Sequence, residues 1–153
     1  MISKSLPYKV LRSEKIYQGR IIQLTKDQFV LKAMPNQVVT RELVLHPGAA
    51  VIIPFVDSAH ILLLKQFRYA ASGELWEIPA GTLDVGESPL GCAKRELEEE
   101  TGFKATHWKR LGSFFSAPGF STEMMHLFMA RGLVPGHKNL DHDEWIETKL
   151  FSL

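Results

Sequence analysis

Between Ser88 and Gly102 the chain carries a full set of helix punctuation. Ser88 suits the N-cap, Pro89 the first helical position and Gly102 the left-handed stop. Leu90, Ala93 and Leu97 recur between them at i, i+3 and i+7 and predict a single apolar stripe. The flanking sequence reads as strands. Arg20–Ala33 and Gln37–Leu45 alternate polar and apolar residues around a Met34-Pro35-Asn36 turn, and His46-Pro47-Gly48 breaks the pattern. Ala49–Val56 and His60–Tyr69 flank Asp57-Ser58-Ala59 as a second hairpin. Leu75–Ile78 is a short strand ended by Pro79-Ala80-Gly81, and Phe103–Phe115, Met124–Ala130 and Glu144–Phe151 are further strands. Many strands with one helix imply the α+β class, the helix packed on a mixed sheet.

A chain of 153 residues has room for one compact domain with a small appendage. With 45% hydrophobic and 23% charged residues it is neither disordered nor coiled coil nor collagen. Its apolar runs, such as Ala49-Ala50-Val51-Ile52-Ile53, fall far short of the roughly 20 residues that span a bilayer. Met1-Ile2-Ser3-Lys4-Ser5-Leu6-Pro7 has no apolar run of the signal-peptide kind. The single cysteine, Cys92, has no partner for an intramolecular disulfide, which points to a reducing cytoplasm. Eighteen basic against 17 acidic residues give no reason to expect nucleic-acid or membrane capture.

The chemistry concentrates on the helix. Glu96, Glu99 and Glu100 fall on one arc beside the apolar stripe, and Glu98 points elsewhere. Like charges at i, i+4 repel, and acids near a helix C-terminus oppose the macrodipole. A bound cation reverses both penalties, and carboxylates with main-chain carbonyls are the hard donors that Mg²⁺ or Mn²⁺ takes. The plainer alternative is a solvated face with Arg95 paired to Glu99 at i+4. Against it stands the strand and glycine loop ahead of the helix, Trp76 to Glu87, whose glycines allow close backbone approach to a ligand.

These residues resemble the Nudix hydrolase family, whose box is G-x5-E-x7-R-E-U-x-E-E-x-G-U. Gly81, Glu87, Arg95, Glu96, Leu97, Glu99, Glu100, Gly102 and Phe103 match every specified spacing. The likeness extends over most of residues 13–150 and is greatest to the ADP-ribose pyrophosphatase branch. It is carried there by Glu14-Lys15-Ile16-Tyr17-Gln18-Gly19, His46-Pro47-Gly48-Ala49, Lys65-Gln66-Phe67-Arg68, Glu77-Ile78-Pro79-Ala80-Gly81 and the proline segment Ser116–Glu123.

The resemblance implies an α/β/α sandwich with a mixed sheet over residues 46–153. An N-terminal antiparallel ribbon over 1–45 would serve dimerisation. Relatives continue past the last strand into a helix, which Leu150-Phe151-Ser152-Leu153 leaves short or missing. It further implies Mg²⁺-dependent hydrolysis of a nucleoside diphosphate sugar, ADP-ribose to AMP and ribose 5-phosphate, in a cytoplasmic homodimer. Glu96, Glu100 and the carbonyl of Ala80 would hold the ion, with Mn²⁺ a possible substitute. Glu99 would complete a second metal site or hold its waters. Arg95 and Glu87 would pair and brace the loop.

The general base would come from the segment Leu140–Glu147, where Glu144 stands at the position of a base or further metal ligand. His142 replaces an acid found in some relatives, which leaves Glu144, with Asp143, ahead of it. Arg68 would grip substrate through its guanidinium, the alternative being an ion pair to Asp57 or Glu74. Arg41 would reach a partner subunit's site, and Thr82 would line the pocket. Tyr17, Phe29 and Trp76 read as core aromatics, and Cys92 as a residue on the acidic side of the helix without a role. Two other functions stand beside this one: a nucleoside triphosphate sanitiser, and a catalytically idle nucleotide-binding module.

Overall fold

The computed structural model describes residues 6–140, 142 and 145–153. The chain divides between Pro47 and Gly48 into a pair of compact units. The first contains β1 (Tyr8–Gln18), β2 (Gln23–Leu31) and β3 (Met34–Leu45), an antiparallel sheet in the order β1-β2-β3. Its β2–β3 turn is Lys32-Ala33, with Leu31 opposite Met34, and not the Met34-Pro35-Asn36 turn expected. Pro35 has no N–H to pair, and a register shift between Val30 and Leu31 absorbs the extra residues of β3. Segment 115–123 belongs to the same unit, hydrogen-bonded to the end of β3 through Val44 N–H to Phe120 O (2.8 Å) and Thr122 N–H to Val44 O (2.9 Å).

The second unit holds β4 (Ala49–Pro54), β5 (His60–Arg68), β6 (Gly73–Glu77), β7 (Ala80–Thr82), α1 (Pro89–Thr101), β8 (Phe103–Phe115), β9 (Met124–Pro135) and β10 (Ile146–Ser152). A mixed sheet runs β7-β4-β9-β8, with β4 parallel to β9 and antiparallel to β7. A second, antiparallel sheet runs β10-β5-β6. The expected β4–β5 hairpin is therefore corrected: the two strands belong to different sheets. Both edges of β4 are taken by β7 and β9, so contact across the turn is short: Phe55 bridges Ile61, and Val56 N–H bonds His60 O at 3.0 Å.

Helix α1 has the predicted ends. The Ser88 side chain accepts from the Gly91 N–H, Pro89 opens the helix, and Gly102 is left-handed at φ 76°. Its buried face is Cys92, Ala93 and Leu97, packed with Ala50, Ile52, Phe128 and Ala130. Leu90, expected in the stripe, is instead partly exposed, and Cys92 lies in the core. Burying Leu97 alone contributes about 1.5–3 kcal/mol. Tyr17 and Trp76 are likewise not core residues, at 57% and 39% exposure. Trp76 packs edge-on against Phe151 at 4.9 Å. Among the described residues α1 is the one α-helix, and none is long and apolar enough to cross a membrane.

Candidate active site

The loop before α1 is shaped by residues that cannot continue a strand. Buried Pro79 follows β6, and its carbonyl accepts from the Ile52 N–H at 2.8 Å, which turns the chain into β7 beside β4. Leu83 N–H then bonds Gly48 O at 3.0 Å, and Gly86 takes φ 79° in the turn that delivers Glu87.

Arg95 joins this loop to the acids of the helix. Its Nε lies 3.0 Å from Glu87 Oε1 and its Nη2 2.9 Å from Glu87 Oε2, a bidentate pair. Nη1 donates to Glu96 Oε1 at 2.7 Å and to Glu99 Oε2 at 3.0 Å, while Nη2 also reaches the Thr82 carbonyl at 3.2 Å. One guanidinium thus bonds Glu87 of the loop and two acids of the helix, Glu96 and Glu99. The hydrogen bond from Arg95 holds the Glu87 carboxyl below the usual carboxylate range, against an opposing effect of burial. Glu100 is buried, and its Oε2 accepts the N–H of Ala80 at 3.1 Å. The i, i+4 spacing thus brings Glu96 and Glu100 to the backbone of Gly81 and Ala80. Cys92 Sγ lies 3.4 Å from the Gly81 carbonyl, and burial pushes its thiol up to about 12.

The donor chemistry suits a hard divalent cation: buried or half-buried carboxylates over a strand backbone that glycine leaves open. Among the described residues, no three His, Cys, Asp or Glu side chains gather at metal-binding spacing. Arg95 supplies the positive charge that draws Glu96 and Glu99 together here.

Arg68 pairs with neither Asp57 nor Glu74. Its Nε donates to Glu77 Oε2 at 2.8 Å, an oxygen that also accepts from Gln66 at 2.9 Å. Glu74 instead holds Lys65 at 2.5 Å, and Asp57 holds His60 at 2.9 Å. Period-two alternation puts Gln66 and Arg68 of β5 on one face, a signal available in the sequence, and the β5–β6 register brings Glu77 to that face. Arg41 is exposed on β3 in the first unit and donates to the Thr40 carbonyl at 2.9 Å, whereas the carboxylates belong to the second. Thr82 is half-buried in β7. Asp143 and Glu144 lie outside the described residues, and His142 is exposed.

A NUDIX domain model matches residues 44–153. The chain belongs to the Nudix family. It is a Nudix hydrolase, acting on phosphoanhydrides and similar to ADP-ribose pyrophosphatases. It is 40% identical over 147 residues to an ADP-ribose pyrophosphatase of Bacillus subtilis (strain 168), covering 94% of this chain and 78% of that one. A methanol dehydrogenase activator of Bacillus methanolicus is 38% identical over 149 residues, covering 95% of this chain and 79% of its own. The crystal structure of an ADP compounds hydrolase superposes with a TM-score of 0.79 at 25% identity, over 98% of this chain and 81% of that one. The Nudix box is the loop and helix just described.

Proposed function

We propose that this Nudix hydrolase cleaves the pyrophosphate bond of nucleoside diphosphate sugars with Mg²⁺, ADP-ribose going to AMP and ribose 5-phosphate. The observation that carries the reading is the gathering of Glu96 and Glu100 on the Ala80–Gly81 backbone, with Glu99 sharing Arg95 with Glu96. The Ala80 carbonyl, Glu96 and Glu100 would hold one ion; Glu99 and Glu144 would serve a second. Bound there, Mg²⁺ or Mn²⁺ neutralises charge on the pyrophosphate oxygens.

The chain's own groups do the rest. Glu144, with Asp143 beside it, accepts the proton of the attacking water as its oxygen bonds to phosphorus. The bond from that phosphorus to the bridging oxygen breaks, and the two monophosphates separate. Arg68 exchanges Glu77 for a phosphate oxygen, since guanidinium matches either partner. Its exposed ion pair costs only about 0–1 kcal/mol to give up. Thr82 lines the pocket. Arg41 reaches the site of a partner subunit in a homodimer built through the ribbon.

The test is a panel of ADP-ribose, GDP-mannose, ADP-glucose and nucleoside triphosphates with Mg²⁺, reading released monophosphate and pyrophosphate. Fastest turnover is expected on ADP-ribose, with loss in excess chelator and in Glu100→Gln. Pyrophosphate release from triphosphates as the leading activity would make the protein a sanitiser instead. Nucleotide binding without turnover would make it an idle module.

A further inference from the structure

Glu98 is the acid of the helix run to which the proposed function gives no task, and it points away from the other three. Its Oε1 accepts the His137 N–H at 3.2 Å and pairs with Lys104 Nζ at 3.2 Å. Around it the segment after β9 crosses the C-terminal end of α1. Gly136 N–H donates to Gly102 O at 2.7 Å, and Asn139 N–H to Glu99 O at 3.0 Å. Carbonyls in the last turn of a helix lack partners within the helix, and these amides supply them. The approach is close: a β-carbon on Gly136 would lie 3.1 Å from Glu98 Oε1. An acid here opposes the macrodipole, and Lys104 with the His137 amide offsets that cost.

The far side of the following loop is held as well. Lys138 Nζ donates to the Ile146 carbonyl at 2.9 Å, at the start of β10. One turn of α1 therefore carries Glu99 and Glu100 together with the anchor of a segment whose two ends are Asn139 and Ile146. We propose that Glu98 and Lys138 are positioning residues, a clamp that ties His137 to the last turn of α1 and Ile146 to Lys138, the two flanks of the segment that carries Glu144. The proposal rests on the reading that Glu144 in this loop serves the reaction.

With ADP-ribose and Mg²⁺, Glu98→Ala should lower kcat about tenfold, because misplacing a reacting group by about 1 Å costs up to about a hundredfold. KM should stay within about twofold, since substrate contacts are untouched. Glu98→Gln should recover most of kcat, its amide oxygen still accepting the His137 N–H. In metal-free protein, the His137 and Asn139 amides should exchange hydrogen faster in Glu98→Ala, while the Leu97 amide should not. Lys138→Met should lower kcat in the same way. In a Glu144→Gln background Glu98→Ala should add little, because the group it positions is gone. If Glu144→Gln is crippled while Glu98→Ala is silent, or the two effects add in full, the clamp is overturned alone. Wild-type kcat in Glu144→Gln removes the loop acid's role, and the clamp with it.

Discussion

Gly81 and Glu96 occupy one volume: a β-carbon on Gly81 would lie 1.8 Å from Glu96 Oε1 and 1.9 Å from its carboxyl carbon. The absent side chain lets the carboxylate rest on the backbone of β7. In Gly81→Ala the flexible end of Glu96 can swing away, so the fold should tolerate the change while the site does not. Thermal stability should shift little and turnover should fall about ten- to a hundredfold. Gly86→Ala is the contrast. It sits at φ 79° with open space around it, so it should lose about 1–2 kcal/mol of stability and keep its activity. Wild-type turnover in Gly81→Ala would show that the placement of Glu96 does not matter.

Glu144 and His142 can be ranked by substitution. Glu144→Gln is expected to lower kcat by about 10²–10⁴-fold with KM nearly unchanged, as when a general base is removed. His142→Ala should change the rate by less than about threefold, well below that range. The reverse ranking would transfer the role to His142.

The Glu87–Arg95 pair predicts a dependence of stability on pH. Arg95 holds the folded Glu87 carboxyl below its ordinary range, with the Asp84 N–H helping. The unfolded carboxyl takes up its proton first, near about pH 4.3. The pair's contribution is therefore present above that pH and lost as pH falls through the lower folded value. Glu87→Gln should cost about 1–3 kcal/mol at neutral pH. Thermal unfolding between pH 3 and 7 should show the gap to wild type narrowing at the acid end. A gap that stays constant would mean that ionisation of the pair contributes nothing.

The ribbon carries a prediction about assembly. Every residue of β1 is exposed, and Val10, Ile16, Tyr17 and Val38 are about half exposed. The proposed homodimer would cover this apolar surface. Sedimentation at micromolar concentration should find a dimer, and Ile16→Arg should shift it toward monomer with loss of activity. A fully active wild-type monomer would count against the ribbon interface.

Some of this protein was legible before any coordinates. The cap, proline and glycine of α1 act within a few residues of themselves, and the helix has the ends they predict. Strand β1 was not legible. Register shifts between Val10 and Arg12 and between Lys15 and Tyr17 break the alternation by which a strand is recognised. The pairing of β4 was also hidden. Its partners are β9 and β7, and nothing local to Asp57-Ser58-Ala59 announces that both edges of β4 are already taken.

The sequence by itself determined which acids lie along α1, which glycine precedes them, and the family to which that spacing belongs. It could do so because capping and i, i+4 spacing are local properties of a helix. The tertiary structure alone decided that Arg68 meets Glu77, that Cys92 lies in the core, and that Glu98 holds the His137 amide. Glu98 and His137 are 39 residues apart. A hydrogen bond across that separation forms only after the chain between has been ordered, and the entropy of that ordering is met by packing of the whole unit.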